Sequence, residues 1–177
     1  MLDGLRKAVE VNGAEAVLRH LLSATDWSDP GAVAYADQVR AAADEAETTL
    51  LHKLGPALGL ENHVQIPVET ALPLVLGGVL RCMAHSHCQH ARTGTVPLYA
   101  FLAARVIACK RCLGRYTGAL VAAEQRNRHG DRRCDFCLDW SEDGSFTLSG
   151  THFGPVQIFG DACDTCHAGL RTEAVAA

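Results

Sequence analysis

The first part of the chain places apolar residues at helical spacing. Leucine and valine recur at positions 2, 5, 9, 17, 18, 21 and 22. This period predicts helix, interrupted near Asn12 and Gly13. Asp29 and Pro30 then form a helix-start signal, because aspartate caps free N–H groups and proline fits the first turn. A second helix is predicted from there to about residue 54, before Gly55, and the two helices form a helical hairpin.

Two strongly apolar segments follow an irregular connection at residues 63–67. The first, at 71–80, is too short to span a bilayer, and we expect a buried core helix that leads into the cysteine-rich region. The second, at 97–109, is predicted as another apolar helix, packed against the first. The first half of the chain is therefore predicted to be a mainly α body, a helical hairpin plus core helices.

The pattern becomes strand-like near the end of the chain. Residues 146–149 and 156–159 read as short strands on either side of a break at 150–155, which predicts a β-hairpin. Three aromatic residues are expected to cover the small core beside it rather than to form a stacking surface: Trp140, Phe146 and Phe159. Short helices are predicted after residues 112 and 166.

Composition changes this picture because all eight cysteines lie at or after position 82. Six of them form three Cys-x-x-Cys pairs, which begin at Cys109, Cys134 and Cys163. The pairs follow a mixed cysteine and histidine segment at residues 82–90. Two intervening residues let both sulfurs of a tight turn face one centre, and two such turns supply the four soft donors of tetrahedral zinc.

Other uses of cysteine fit less well. Disulfide frameworks are typical of short secreted chains, whereas this chain has 177 residues and begins without the apolar run of an export signal. Reduced thiols and a cytoplasmic location are therefore expected. A redox pair does not need so many cysteine-bearing segments. Iron–sulfur ligation is the stronger rival, but the histidines at 85, 87 and 90 favour zinc.

The ligand count predicts two zinc ions per chain. One set is complete and consists of Cys134, Cys137, Cys163 and Cys166. The preferred second set consists of His85, Cys88, Cys109 and Cys112, with Cys82, His87 and His90 as alternative ligands. A cross-braced arrangement, in which the two middle pairs share an ion, also has workable spacing. Sequential pairing is favoured because closing shorter loops costs less chain entropy.

A zinc site whose last ligand lies at a helix start resembles the treble-clef and zinc-ribbon group of zinc-binding units. The resemblance covers about residues 82–170 and is carried by ligand spacing. It implies structural metal in a C-terminal α+β zinc-binding unit that contains the β-hairpin. A chain of this length could form one domain or a helical domain with a small zinc appendage. The second arrangement is favoured, with a helical domain at 1–128 carrying the first zinc site and a small zinc domain at 129–177. Members of the group bind nucleic acid, bind proteins or support enzymes, so the resemblance selects no function.

Charge is segregated along the chain, although the formal net charge is only -4. Residues 101–133 hold eight basic and two acidic side chains, between acidic flanks. The basic residues considered for nucleic-acid contact are Lys110, Arg111, Arg115, Arg126, Arg128, Arg132 and Arg133. Guanidinium forks in this segment could meet a phosphate backbone. They could equally neutralise the negative charge of zinc–thiolate sites or meet an acidic protein partner.

These observations favour a structural-zinc regulatory or accessory factor that contacts nucleic acid through the basic segment. One alternative is a protein–protein adaptor that uses the helical half. Another is a zinc enzyme with an open site around residues 82–112, which is less favoured. The chain has no Gly-rich phosphate loop, nucleophile elbow or His-Glu-x-x-His helix. No membrane partner is expected, and no oligomeric state is predicted.

Overall fold

A mixed five-stranded sheet with helices packed around it organises the chain. The structure, a computed structural model, describes residues 23–24, 26–54, 56, 68–128, 133–140 and 144–171. The first predicted helix, within residues 2–22, lies outside these ranges, as does the irregular connection at 63–67. Among the described residues, no helix combines the length and apolar character needed to cross a membrane.

Helix α1 spans Pro30–Thr49 and continues as a π-helical turn, Leu50–Leu54. Asp29 caps it as predicted, because a carboxylate oxygen accepts a hydrogen bond from the Gly31 amide at 3.0 Å. The helix buries one narrow side, at Ala42 and Ala46. The side-chain Nε2 of the fully buried Gln157 donates a hydrogen bond to the Ala46 carbonyl at 2.9 Å, which attaches α1 to the sheet.

Helix α2 spans Val68–His85 and confirms the predicted core helix, which extends further than the apolar run. Val75 and Cys82 are fully buried. Gly78 permits close packing, because a Cβ atom at this position would lie 2.8 Å from a methyl group of Leu102. The helix therefore contacts the sheet at a turn between two strands.

Residues 97–109 do not form the predicted helix. They form strands β2, Leu98–Phe101, and β3, Val106–Cys109, which pair antiparallel. Both strands lie inside the sheet with a neighbouring strand on each side. Such strands are apolar throughout, and a short apolar run has no period that distinguishes a buried strand from a buried helix. The expected packing of this segment against α2 is nevertheless present, through Leu102 in the connecting turn.

The predicted C-terminal hairpin is present with longer strands. Strand β4, Thr147–Phe153, pairs antiparallel with β5, Val156–Ala162. The break is confined to Gly154 and Pro155, where Gly154 adopts a left-handed φ of 52°. A two-residue strand β1, Ser86–His87, completes the sheet, whose order is β1-β3-β2-β5-β4.

The helices predicted after the cysteine pairs are also present. A 3-10 turn, Leu113–Tyr116, leads into α3, Thr117–Arg128, and the chain continues after β5 into α4, Asp164–Arg171. Of the three aromatic residues expected to cover the core, Phe159 is buried and Phe146 packs against the core. Trp140 is 59% exposed, so that part of the expectation was wrong.

The sheet crosses the domain boundary predicted at residues 128 and 129. Strand β2 pairs in parallel with β5, from Leu98 opposite Val156 to Phe101 opposite Phe159. The rings of Phe101 and Phe159 stack with centroids 5.6 Å apart. The described parts of the two predicted domains therefore share one sheet, and the N-terminal body contains central strands as well as helices.

Candidate metal centres

Two groups of side chains are arranged so that each could hold a metal ion. The first cluster consists of Cys88, His90, Cys109 and Cys112. The second cluster consists of Cys134, Cys137, Cys163 and Cys166. Within each group, one ligand atom per residue lies within 4.8 Å of the others. The pairing is sequential, and the cross-braced alternative is not what the described residues form.

Sheet pairing assembles the first cluster. Strand β1 runs parallel to β3, and the amide that follows β1, at Cys88, donates to the Ile107 carbonyl at 3.1 Å. This register places Cys88 beside Cys109, whose amide lies 3.4 Å from the Cys88 sulfur. A tight turn then returns Cys112 to the same centre, with its amide donating to the Cys109 carbonyl at 2.9 Å.

His90 is the fourth member of the first cluster, where His85 was preferred from the sequence. The His90 Nδ1 atom lies 3.5 Å from the Cys109 sulfur and 3.6 Å from the Cys112 sulfur. His85 is the last residue of α2, is exposed and lines a different pocket. The helix continues through residue 85, and the chain turns toward the cluster only at the 3-10 helix Gln89–Arg92.

The other two alternative ligands are also placed elsewhere. The Nε2 atom of His87 accepts a hydrogen bond from Arg92 Nε at 3.3 Å. Cys82 is fully buried in α2, with its sulfur 3.8 Å from the Phe101 carbonyl oxygen. Burial raises the pKa of the Cys82 thiol to about 12. Cys82 is therefore a protonated core thiol rather than a member of either cluster.

A tight turn at residues 133–140, here called the Cys134 turn, supplies half of the second cluster. A β-bridge between Arg133 and Trp140 closes its ends. The Leu138 amide donates to the Cys134 carbonyl at 3.0 Å, and Leu138 adopts a left-handed φ of 68°. The Phe136 amide also lies 3.4 Å from the Cys134 sulfur, so the turn surrounds this sulfur with N–H groups.

Strand β5 brings the other half into place. The Asp135 amide donates to the Asp161 carbonyl at 2.9 Å, and the Asp161 amide donates to an Asp135 carboxylate oxygen at 2.7 Å. Gly160 makes this approach possible, because a Cβ atom there would lie 2.9 Å from the Asp135 Cβ. The Cys163 amide then lies 3.4 Å from the Cys134 sulfur, and Cys166 follows in the first turn of α4.

The thiols of the second cluster differ in acidity. Burial alone would raise the pKa of Cys134, but backbone N–H groups of Cys163, Cys137 and Phe136 lower it overall. Burial raises the pKa of Cys137 to about 11. It also raises the pKa of Cys166, and the charge of Cys134 adds to the effect. One thiolate thus suppresses ionisation of its neighbours, and a bound cation would remove that repulsion.

Five of the seven basic residues considered from the sequence fall into two places. Lys110 and Arg111 are exposed between the cysteines of the first cluster, and Arg115 is exposed in the 3-10 turn that follows. Arg126 and Arg133 instead line a pocket beside the second cluster. The side chain of Arg128 and the whole of Arg132 lie outside the described parts of the structure.

Comparison with known proteins found no match to the chain among protein-family models, curated proteins or solved structures.

Proposed function

We propose that both clusters bind zinc and that the two ions are structural. The donor sets carry the proposal: three thiolates with an imidazole, and four thiolates. Soft sulfur and imidazole donors select zinc over calcium or magnesium, which prefer oxygen. Four protein donors also complete a tetrahedral shell, which favours a structural centre over a catalytic one that keeps a position for water.

Elemental analysis of protein purified without added metal tests this proposal. We expect close to two zinc ions per chain and no reactive thiol in the folded protein, because zinc masks the seven ligand thiols and Cys82 is buried. Addition of a chelator should make the ligand thiols reactive. Iron, or a single zinc with the thiols of one cluster reactive in the folded protein, would contradict it.

We further propose that the protein is an accessory factor that contacts nucleic acid near the first cluster. Lys110 and Arg111 are exposed within a turn whose backbone is held by the Cys112 amide and by the cluster itself. Arg115 follows in the 3-10 turn Leu113–Tyr116. Basic side chains on a rigid turn can meet successive phosphates with little loss of backbone entropy.

Fluorescence anisotropy with a labelled oligonucleotide tests this contact. We expect the double variant Lys110→Gln and Arg111→Gln to reduce the salt slope of binding by about one for each lost phosphate contact. Arg40→Gln is the matched control, because it removes a charge from the exposed face of α1, where Arg40 pairs with Asp37 at 2.7 Å. Equal affinity of the double variant and the control would refute the contact, provided both retain their zinc.

An adaptor role for the helical part is the second candidate function. Three large apolar side chains at the beginning of α1 are exposed by between 42% and 50%: Trp27, Val33 and Tyr35. Exposed aromatic residues are enriched at protein interfaces. A stable complex with another polypeptide that resists high salt and is lost on Trp27→Ala with Tyr35→Ala would favour this role over nucleic-acid contact.

A further inference from the structure

A pocket of about 350 Å³ lies where four parts of the chain meet. These are the end of α2, the turn between β2 and β3, the end of α3, and the Cys134 turn. Its charged and titratable lining consists of Arg81, His85, Arg105, Arg126, Arg133 and Asp135, together with the sulfur-bearing Cys134. We call it the arginine pocket. Four guanidinium groups around one cavity repel one another, and an anion inside it would turn this repulsion into attraction.

Backbone carbonyls position two of these arginines. The Arg81 Nη2 atom donates to the Asp135 carbonyl at 2.8 Å, and the Arg126 Nη2 atom donates to the Ala103 carbonyl at 3.1 Å. A guanidinium has five N–H donors in a fixed plane, so one such contact orients the group and leaves donors for a ligand. Burial, together with the charge of Arg105, lowers the pKa of Arg81, in keeping with the crowding of positive charge.

Arg105 is held in a backbone conformation that suits glycine or asparagine better. Its φ is 53°, in the left-handed region, at the end of the turn between β2 and β3. A non-glycine residue there costs on the order of 1 kcal/mol. Arg105 is exposed and lines the pocket. It therefore occupies a position where the backbone conformation favours another residue type.

Neutralisation of the second cluster does not account for all four arginines. A four-thiolate zinc site would carry a formal charge of about -2. Among the described residues that line the pocket, Asp135 is the one carboxylate, and its Oδ2 already accepts a hydrogen bond from the Asp161 amide. The positive charge of the four arginines exceeds that of these two negative groups together, which leaves the pocket attractive to an anion.

We propose that the arginine pocket binds a phosphate group. The planar fork of a guanidinium matches phosphate oxygens in a bidentate manner, and the pocket volume is near the lower end of the range for small-ligand sites. The phosphate could belong to a small phosphorylated molecule or to a nucleic-acid backbone. The site is separate from Lys110, Arg111 and Arg115, so it does not depend on the nucleic-acid contact proposed above.

Titration of the zinc-loaded protein with inorganic phosphate at constant ionic strength tests the pocket. The readouts are the NMR resonances of arginine Nε–Hε groups and the thermal midpoint of unfolding. Arg105→Asn is the informative variant, because asparagine tolerates a left-handed φ and the fold should be retained. We expect it to weaken phosphate binding about fivefold or more, as does Arg133→Gln. Arg40 is exposed on α1 and is not part of the pocket lining. The Arg40→Gln variant should therefore bind phosphate like the unmodified protein.

An oligonucleotide without terminal phosphates identifies the source of the phosphate. Displacement of inorganic phosphate by this oligonucleotide, with weaker binding by Arg105→Asn, would support a backbone phosphate in the pocket. Phosphate binding that the oligonucleotide does not displace would support a small phosphorylated ligand. The proposal is overturned if phosphate has no effect beyond that of chloride, or if Arg105→Asn and Arg133→Gln bind it unchanged. Oligonucleotide binding that still requires Lys110 and Arg111 would then leave the proposed function standing.

Discussion

The two metal clusters are built from different ranges of the chain. The donors of the first cluster lie within residues 88–112 and depend on the local pairing of β1 with β3. The donors of the second cluster are separated in the chain by the β4–β5 hairpin. Strand β5 of this hairpin also pairs with β2 at the centre of the sheet. Similar cysteine spacing therefore has unequal structural consequences in the two places. Zinc bound at the first cluster would fix a local turn, whereas zinc bound at the second would fix the position of a hairpin within the sheet.

The clusters also differ in charge and in what surrounds them. With a divalent zinc ion, three thiolates and a neutral imidazole carry a formal charge of about -1, whereas four thiolates carry about -2. The basic residues beside the first cluster, Lys110, Arg111 and Arg115, are exposed. Beside the second cluster, Arg81 is half-buried and bonded to the carbonyls of the Cys134 turn. The positive charge beside the first cluster is thus exposed to solvent. Beside the second cluster, part of it is used in hydrogen bonds within the protein.

The largest effect is expected from removal of the second cluster. Cys134→Ser combined with Cys163→Ser should remove one of two zinc ions and with it folding free energy on the order of 10 kcal/mol. Because β5 pairs with β2, we expect the sheet to lose its cooperative unfolding transition. Circular dichroism and zinc content measure the outcome. A variant that keeps one zinc and a cooperatively folded N-terminal part would instead support independent domains divided near residue 128.

A smaller effect, several kcal/mol, is expected from loss of the first cluster, because its loop is shorter and its pairing more local. His90→Ala should reduce the zinc content to one ion per chain in the presence of a competing chelator. His90→Cys should restore the second ion by supplying a thiolate. His85→Ala is the matched control and should retain both ions. Loss of zinc in His85→Ala with retention in His90→Ala would reverse the ligand assignment.

Cys82 provides a thiol that belongs to neither cluster. Cys82→Ala should retain both zinc ions and cost about 1 kcal/mol of stability, from the lost contacts of one buried sulfur. Measurement of zinc content and of urea unfolding at pH 7 checks both expectations. A zinc content that falls to one ion would show that the buried thiol is a ligand after all.

The same thiol has a predicted pH signature. The pKa of Cys82 is raised in the folded protein from 9.0 to about 12. Its contribution to stability is therefore complete below pH 9 and is lost as the pH rises from 9 through about 12, because the unfolded chain releases the proton first. Cys82→Ala should show a shallower decline in unfolding free energy over this range than the unmodified protein.

The smallest effect is expected at Leu138, which we compare with Leu113 because each follows the second cysteine of a Cys-x-x-Cys turn. Leu138 has a φ of 68° and is 47% exposed, so Leu138→Gly should be stabilising by about 0.5–1 kcal/mol. Leu113 begins a right-handed 3-10 turn and packs against the core, so Leu113→Gly should be destabilising by about 1 kcal/mol or more. Thermal midpoints of the two variants should move in opposite directions. Movement in the same direction would mean that the two turns do not differ as described.

Features encoded by local chemistry were predictable from the sequence. Asp29 and Pro30 identify the start of α1, and the break near Gly154 identifies the β4–β5 hairpin. The membership of six cysteines in two groups follows from their spacing. Residues 97–109 were not predictable in the same way, because an apolar run buried on both faces lacks any period. The sheet neighbours that settle its conformation lie far away in the chain.

The histidine of the first cluster could not be identified from residue spacing alone. His85 and Cys88 have the same separation as the cysteine pairs, but residue 85 is still helical. His90 reaches the centre because a 3-10 turn follows Cys88. The length of α2 therefore decides which histidine is available. The helix packs against the sheet through Gly78 and Leu102, a contact that the ligand spacing does not encode.

The parallel pairing of Leu98 with Val156 has a consequence for the order of folding. The central strands can join only after the long intervening segment closes into a loop, and high contact order slows folding. The first cluster requires no such closure, since its ligands and strands are near one another in the chain. We therefore expect a fast phase in which zinc-loaded residues 86–112 become protected from hydrogen exchange, followed by a slower phase in which β5 docks. In this chain the rate-limiting step would be strand insertion, and the earlier zinc centre would act as its template.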